Sequence, residues 1–278
     1  MSEDRHKARS ATFGTVPQDV CIFCERGKPL VKITKEHLLS RWVDDVLTPD
    51  LLGPDRSFER TTAGTDGTAV TKTWPTEVIA AVEAAVVCGS RPDGCNGGWM
   101  SELDGQVRHL LEHMMLGKPR KLAPGEQLTI AAWAAMKSMV LEYFWGPSRS
   151  SSFRRQPGRS SSASGARRRT CRSGSPQLNP RGRPALLFRR VYQLQPKAAG
   201  GLALPRFASC STLVLGCFVM HTYGTSVTGP ATSKQPHGRN YLFINPPTSA
   251  DISWPPPEAL DDPALDRFAH PLQPVTGD

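Results

Sequence analysis

Cys21-Ile22-Phe23-Cys24, Lys35-Glu36-His37 and Cys88-Gly89-Ser90-Arg91-Pro92-Asp93-Gly94-Cys95-Asn96 are the pieces of sequence from which the fold is read. Two cysteine pairs of this kind can close a tetrahedral thiolate site around one zinc ion. Four thiolates leave the metal no open position, so such a site is structural rather than catalytic. The staple would hold Glu36-His37 near Asn96, although 59 residues separate His37 from Asn96. The spacer between Cys88 and Cys95 is wider than the usual knuckle of about two to four residues. Its two glycines and one proline allow the loop to bulge around a metal. The alternative is two buried thiol pairs without metal. Cys171, Cys210 and Cys217 have no ligand spacing and read as free thiols.

The chain has 278 residues, enough for one or two domains with a sizeable core. Its charged start, Met1 to Arg9, is not followed by the apolar run of a signal peptide. The longest apolar stretch, Thr212 to Met220, is far short of the ~20 residues a membrane-spanning helix needs. The expectation is a soluble, cytoplasmic protein with no membrane association; its oligomeric state is left open. An odd number of cysteines, seven, fits poorly with a secreted disulfide framework.

The formal charge of +9 is unevenly distributed. Between Tyr143 and Ala250 there are 16 Lys and Arg and no Asp or Glu, which leaves 18 bases against 25 acids elsewhere. The part that carries the motifs is therefore mildly acidic. The global charge says little about whether that part binds nucleic acid.

The expected fold class is α+β, and the chain divides into four stretches. Residues 1–18 read as a polar, disordered N-terminus. Residues 19–146 read as the zinc-stapled domain with a helical extension. Within it, Leu30 to Thr34 alternates like a short strand leading into Glu36-His37. Leu38 to Leu47 begins a helix, and Ser57 to Thr61 with Ala69 to Trp74 makes a hairpin. Thr76 to Val87, rich in Ala and Val, is expected to be helical. Trp99 to Leu116 and Gly125 to Trp145 are further helices, the first with Leu103, Val107, Leu110, Leu111 and Met114 at helical spacing. Trp99 is expected under the knuckle as a core anchor, with Trp133 and Trp145 as core residues of the second helix.

Residues 147–185 are almost entirely Ser, Arg, Gly, Pro and Ala. They read as a solvated basic linker that cannot repay its ordering entropy, or as a stretch translated in a shifted frame. The C-terminal region, 186–278, is less defined. Thr212 to Met220 reads as a buried strand or helix, Tyr241 to Ile244 as a strand, and Pro263 to Ala269 as a short helix.

A histidine at the end of a strand can take a proton from water attacking phosphorus, because imidazole titrates near neutrality. Phosphodiester cleavage also needs positive charge at the leaving oxygen. Hard cations such as Mg²⁺ or Mn²⁺ prefer oxygen, which Glu36 and the side-chain carbonyl of Asn96 supply. The His109/His113 pair, at i, i+4 spacing, is also capable of ligating a metal. Its helix nevertheless has Leu110, Leu111 and Met114 to pack.

Strand, Glu36-His37, a variable insertion, then Cys95-Asn96 opening a helix resembles the HNH endonuclease family of ββα-metal fold. The closest variant is the one in which the last His is replaced by Asn. Gly97-Gly-Trp-Met-Ser-Glu-Leu-Asp104 is also similar to the helix start of bacterial HNH-like proteins. The resemblance covers roughly residues 19–116. It implies an HNH-like core with zinc knuckles, His37 as general base, and Glu36 and Asn96 as ligands of a catalytic divalent cation. Cys21, Cys24, Cys88 and Cys95 would hold the structural Zn²⁺. The family's middle Asn has no counterpart, since residues 38–95 contain no Asn; Asp44, Asp45 and Asp55 are the candidates to replace it.

Two functions follow as expectations. One is a metal-dependent endonuclease hydrolysing phosphodiester bonds in DNA, in a bacterial or phage setting. The other is a non-catalytic, zinc-stabilised nucleic-acid-binding or interaction module that keeps the fold without the chemistry.

Overall fold

A computed structural model describes residues 19–47, 57–63, 69–75, 83–89, 94–144, 161–168, 185–194, 206–225, 242–245 and 249–257. The expected N-terminal disorder and the short helix at Pro263 to Ala269 lie outside them. The described residues form small antiparallel sheets packed on helices, a mixed α+β architecture.

The first strand, β1 (Ile33–His37), begins later than its alternation predicts and takes in Glu36-His37 itself. Helix α1 (Trp42–Val46) is short, and buries Trp42 and Val43. The expected hairpin forms from β2 (Ser57–Ala63) and β3 (Ala69–Pro75), antiparallel in continuous register.

β4 (Glu83–Cys88) takes up the end of the segment expected to be helical and corrects that expectation for residues 83–87; residues 76–82 lie outside those described. It runs antiparallel to β1, with Ile33 opposite Cys88 and His37 opposite Glu83. Ala and Val are compatible with either state over so short a run. The available edge of β1 decides, and Val86 and Val87 become fully buried.

Past the second cysteine pair, a wide turn over Asn96–Met100 leads into α2 (Ser101–Met115). That turn closes with Met100 N–H donating to the Cys95 carbonyl at 3.2 Å, a π-type bond. Gly98 interrupts it at φ −99°, ψ −120°. Helix α2 buries Val107, Leu110, Leu111, Met114 and Met115. It stops at Gly117, whose φ of +69° reverses the chain. Lys118 N–H then reaches the His113 carbonyl at 2.9 Å and Gly117 N–H the Met114 carbonyl at 3.1 Å, a Schellman ending.

β5 (Arg120–Leu122) follows, then α3 (Pro124–Phe144), entered through a proline at its first position where no N–H is needed. Ile130, Trp133, Met136, Val140 and Leu141 of α3 lie in the core.

The C-terminal region completes this core. A five-stranded antiparallel sheet has β6 (Ser161–Arg168), β7 (Ala185–Leu194), β8 (Arg206–Leu215), β9 (Phe218–Thr225) and β10 (Leu242–Asn245) in the order β10-β6-β9-β8-β7. β11 (Ile252–Trp254) pairs with β5. Leu213, Leu215, Phe218, Met220, Ile244 and Trp254 belong to one buried cluster with Val107, Leu122 and Trp133.

Three expectations change here. Thr212 to Met220 is neither one strand nor a helix, but the tip of the β8–β9 hairpin, turning at Gly216-Cys217. Gly216 has φ +55°, and Cys217 N–H donates to the Met115 carbonyl at 2.8 Å, docking the hairpin on the end of α2. Cys217 is disulfide-bonded rather than a free thiol. The stretch read as a structureless linker contains β6, whose Ser, Ala and Gly side chains carry no apolar pattern. Its backbone is satisfied by β9 on one side and β10 on the other. No helix among the described residues is long and apolar enough to cross a membrane.

Candidate metal centre

The first cysteine pair sits in a tight hairpin pinned at its base by a bridge between Val20 and Gly27. Cys21 N–H donates to the Arg26 carbonyl at 2.9 Å, and Glu25 N–H to the Cys21 carbonyl at 3.0 Å. The reversal places Glu25 at φ 61°, in the left-handed region. Ile22 N–H donates to Val86 O at 3.0 Å, tying this knuckle to β4. Cys88 ends β4, and Cys95 precedes the turn into α2. The β1–β4 pair and the helix entrance therefore converge on one point.

All four sulfurs lie within 4.8 Å of one another, and Cys24 Sγ is 3.6 Å from Cys88 Sγ. A tetrahedral zinc with bonds of ~2.3 Å needs sulfur separations of about 3.8 Å. The cluster requires only a small inward adjustment, so it could hold a structural zinc ion. Its all-sulfur donor set suits zinc and not a hard cation. Among the described residues, it is the one grouping of three or more His, Cys, Asp or Glu side chains close enough to share an ion.

The thiols of the cluster are pulled in different directions by their surroundings. Burial pushes the Cys95 thiol up to about 12, and burial likewise raises Cys88. Burial also acts upward on Cys24, but hydrogen bonds from Arg26 outweigh it and, with contributions from Cys88 and Cys21, bring it down to about 6. The Arg26 Nε donor is 3.4 Å from Cys24 Sγ, and Cys95 N–H donates to Cys88 Sγ at 3.2 Å. One thiolate is thus favoured without metal. The others resist ionising in a confined, partly buried space until a cation neutralises them.

Trp99 is not under the knuckle as expected. It is 42% exposed and meets Phe23 edge-on, with centroids 5.1 Å apart. It also hydrogen-bonds the Cys95 side chain. Trp133 is fully buried, as its helical position predicts. Trp145 lies outside the described residues.

Glu36 and His37 occupy successive positions of β1 and so leave opposite faces of the strand. Glu36 turns inward. Its Oε1 accepts from Lys137 Nζ of α3 at 2.8 Å, with the two side chains 10% and 3% exposed. His37 is half-buried, and its Nε2 accepts from Arg41 Nε at 2.8 Å. The Asn96 amide nitrogen donates to Thr34 Oγ1 at 3.3 Å and to Lys35 O at 3.2 Å, clipping the helix entrance onto β1.

These bonds set Asn96 against the strand that carries Glu36 and His37. As placed, the residues do not fit the expected catalytic cation, because an ammonium already holds the Glu36 carboxylate. Of the substitutes for the family's middle Asn, Asp45 pairs with Arg108 at 3.5 Å, and Asp55 lies outside the described residues. His113 Nδ1 lies 3.1 Å from its own helix's His109 carbonyl, a contact within α2 rather than a shared metal position.

The sequence reading misses Lys137, Asp104 and Trp133 as a polar group beneath the site. Asp104 Oδ1 accepts from Trp133 Nε1 at 2.7 Å and from Ser40 Oγ at 2.5 Å, and lies 3.9 Å from Lys137 Nζ. A lysine at an otherwise apolar position of α3, between Met136 and Ser138, was the available signal. Compared with family models, curated proteins and solved structures, the chain matches none.

Proposed function

We propose that residues 19–116 form an HNH-type module that acts on phosphodiester bonds of DNA, with His37 as the proton acceptor. The observation that carries this reading is the β1–β4 antiparallel pair followed by a helix whose entrance residue, Asn96, hydrogen-bonds back onto β1. On this reading β1, β4 and α2, with the four-cysteine cluster beside them, hold an imidazole at the end of a strand beside an exposed guanidinium. In this reading a phosphate draws Arg41 off the His37 ring and frees Nε2 to accept a proton from water. Arg41 then meets the phosphate through its paired donors.

A specific observation favours a second reading. Lys137 neutralises Glu36, as it would in a module that keeps the architecture for binding alone. Incubating zinc-loaded protein with supercoiled plasmid, with Mg²⁺, with Mn²⁺ and with neither, separates the two. The first reading expects nicking that His37→Ala abolishes at unchanged zinc content. Absence of His37-dependent cleavage under every condition would leave the binding module.

A further inference from the structure

We propose that the Lys137 ammonium is the resident cation of this site, standing where the HNH resemblance calls for a divalent ion at Glu36. The inference rests on the reading above only for the expectation of a metal at that carboxylate; the geometry is independent of it. Lys137 Nζ donates to Glu36 Oε1 at 2.8 Å and to the His37 main-chain oxygen at 3.2 Å, and lies 3.9 Å from Asp104 Oδ1. These are oxygen partners of the kind a hard cation seeks, from β1 and α2, gathered around one buried nitrogen from α3.

A hydrated divalent ion keeps several waters and needs room for them. With the Glu36 and Lys137 side chains this deeply buried, there is little access for such an ion. Displacing the ammonium would leave a buried positive charge without its partner, a costly state. The site is also held in place from below. Asp104 is fixed by Trp133 Nε1 and Ser40 Oγ, which leaves Lys137 between the Glu36 carboxylate and an anchored Asp104. Through the His37 carbonyl, Lys137 sets the end of β1 and so the origin of the His37 side chain. It is a positioning residue, and cleavage by His37 does not run through a metal on Glu36.

The test is a Mn²⁺ titration of the zinc-loaded full chain, followed by amide NMR. Mn²⁺ broadens signals near its binding site. In the native protein, the Glu36, His37 and Asn96 amides should broaden no more than surface amides elsewhere. Lys137→Met, confirmed as folded by its zinc content, should gain selective broadening at Glu36 and His37, because its carboxylate is released. Selective broadening of those amides in the native protein, removed by Glu36→Gln, would overturn the proposal. If Lys137→Met does not fold, the native titration decides alone. Plasmid cleavage is read separately: its absence removes the nuclease reading, whereas only Mn²⁺ binding at Glu36 removes this one.

Discussion

Cys24 and Cys95 are pulled in opposite directions by their surroundings, and this gives the metal-free protein a definite pH response. Cys24, lowered from 9.0 to about 6, adds stability that is present above pH 9 and is lost as pH falls toward 6. Cys95, raised from 9.0 to about 12 by burial, acts oppositely: its contribution is complete below pH 9 and is lost as pH climbs toward 12. Urea midpoints of zinc-stripped, reduced protein should therefore contain a cysteine-dependent maximum near pH 9. Loading zinc should remove the falling alkaline limb, since the metal holds the thiolates ionised. A second residue-scale prediction concerns the buried ion pair. Lys137→Met strands a buried carboxylate and should cost about 3–5 kcal/mol in denaturant unfolding. Removing both charges together, as Glu36→Gln with Lys137→Met, should cost less than the sum of the two single changes. The four cysteines were legible in the sequence because thiolate coordination imposes short spacings within each pair. Lys137 was not, because its partner is 101 positions away in the chain and no local pattern records that meeting.

Helices α2 and α3 emerge close to their expected bounds because each sustains an apolar face over several turns, as Val107, Leu110, Leu111 and Met114 do in α2. β4 was misread because six residues with two Ala and two Val carry no decisive period; only pairing with β1 settles their state. The hairpin tip at Gly216-Cys217 was hidden for a related reason, since Leu213 to Met220 is apolar throughout on both sides of the turn. Its geometry makes a sharp prediction. A Cβ at Gly216 would stand 2.5 Å from the Met115 carbonyl oxygen, at a φ of +55°. Gly216→Ala should therefore lower stability by roughly 1–3 kcal/mol, through backbone strain and a displaced hairpin. Thermal unfolding of the variant measures this directly, and an unchanged midpoint would show that the hairpin does not press on the end of α2.

At the scale of the whole molecule, the region after residue 146 packs against the motif-bearing region before it. Leu213, Phe218 and Ile244 share one buried cluster with Val107 and Trp133, and Gln127 of α3 reaches the Ala250 carbonyl at 2.9 Å. β11 pairs with β5, and β9 and β10 cover the helices. Composition had suggested a boundary near residue 146, because charge and side-chain vocabulary change there. Burial follows contacts and not composition, and the contacts cross that point. A 1–146 fragment should be poorly soluble or lose its cooperative transition, since it exposes the faces of α2 and α3 that this region covers; a well-folded fragment of native-like midpoint would contradict it. The first knuckle, β4 and the entrance of α2 meet at the cysteine centre, which we propose holds one zinc ion. X-ray absorption at the zinc edge, on protein purified without chelator, tests it most directly. The prediction is one zinc per chain in a shell of four sulfurs at ~2.3 Å, with zinc binding weakened in Cys24→Ser. Folded protein that carries no zinc as purified, or a zinc bound through nitrogen or oxygen, would contradict it.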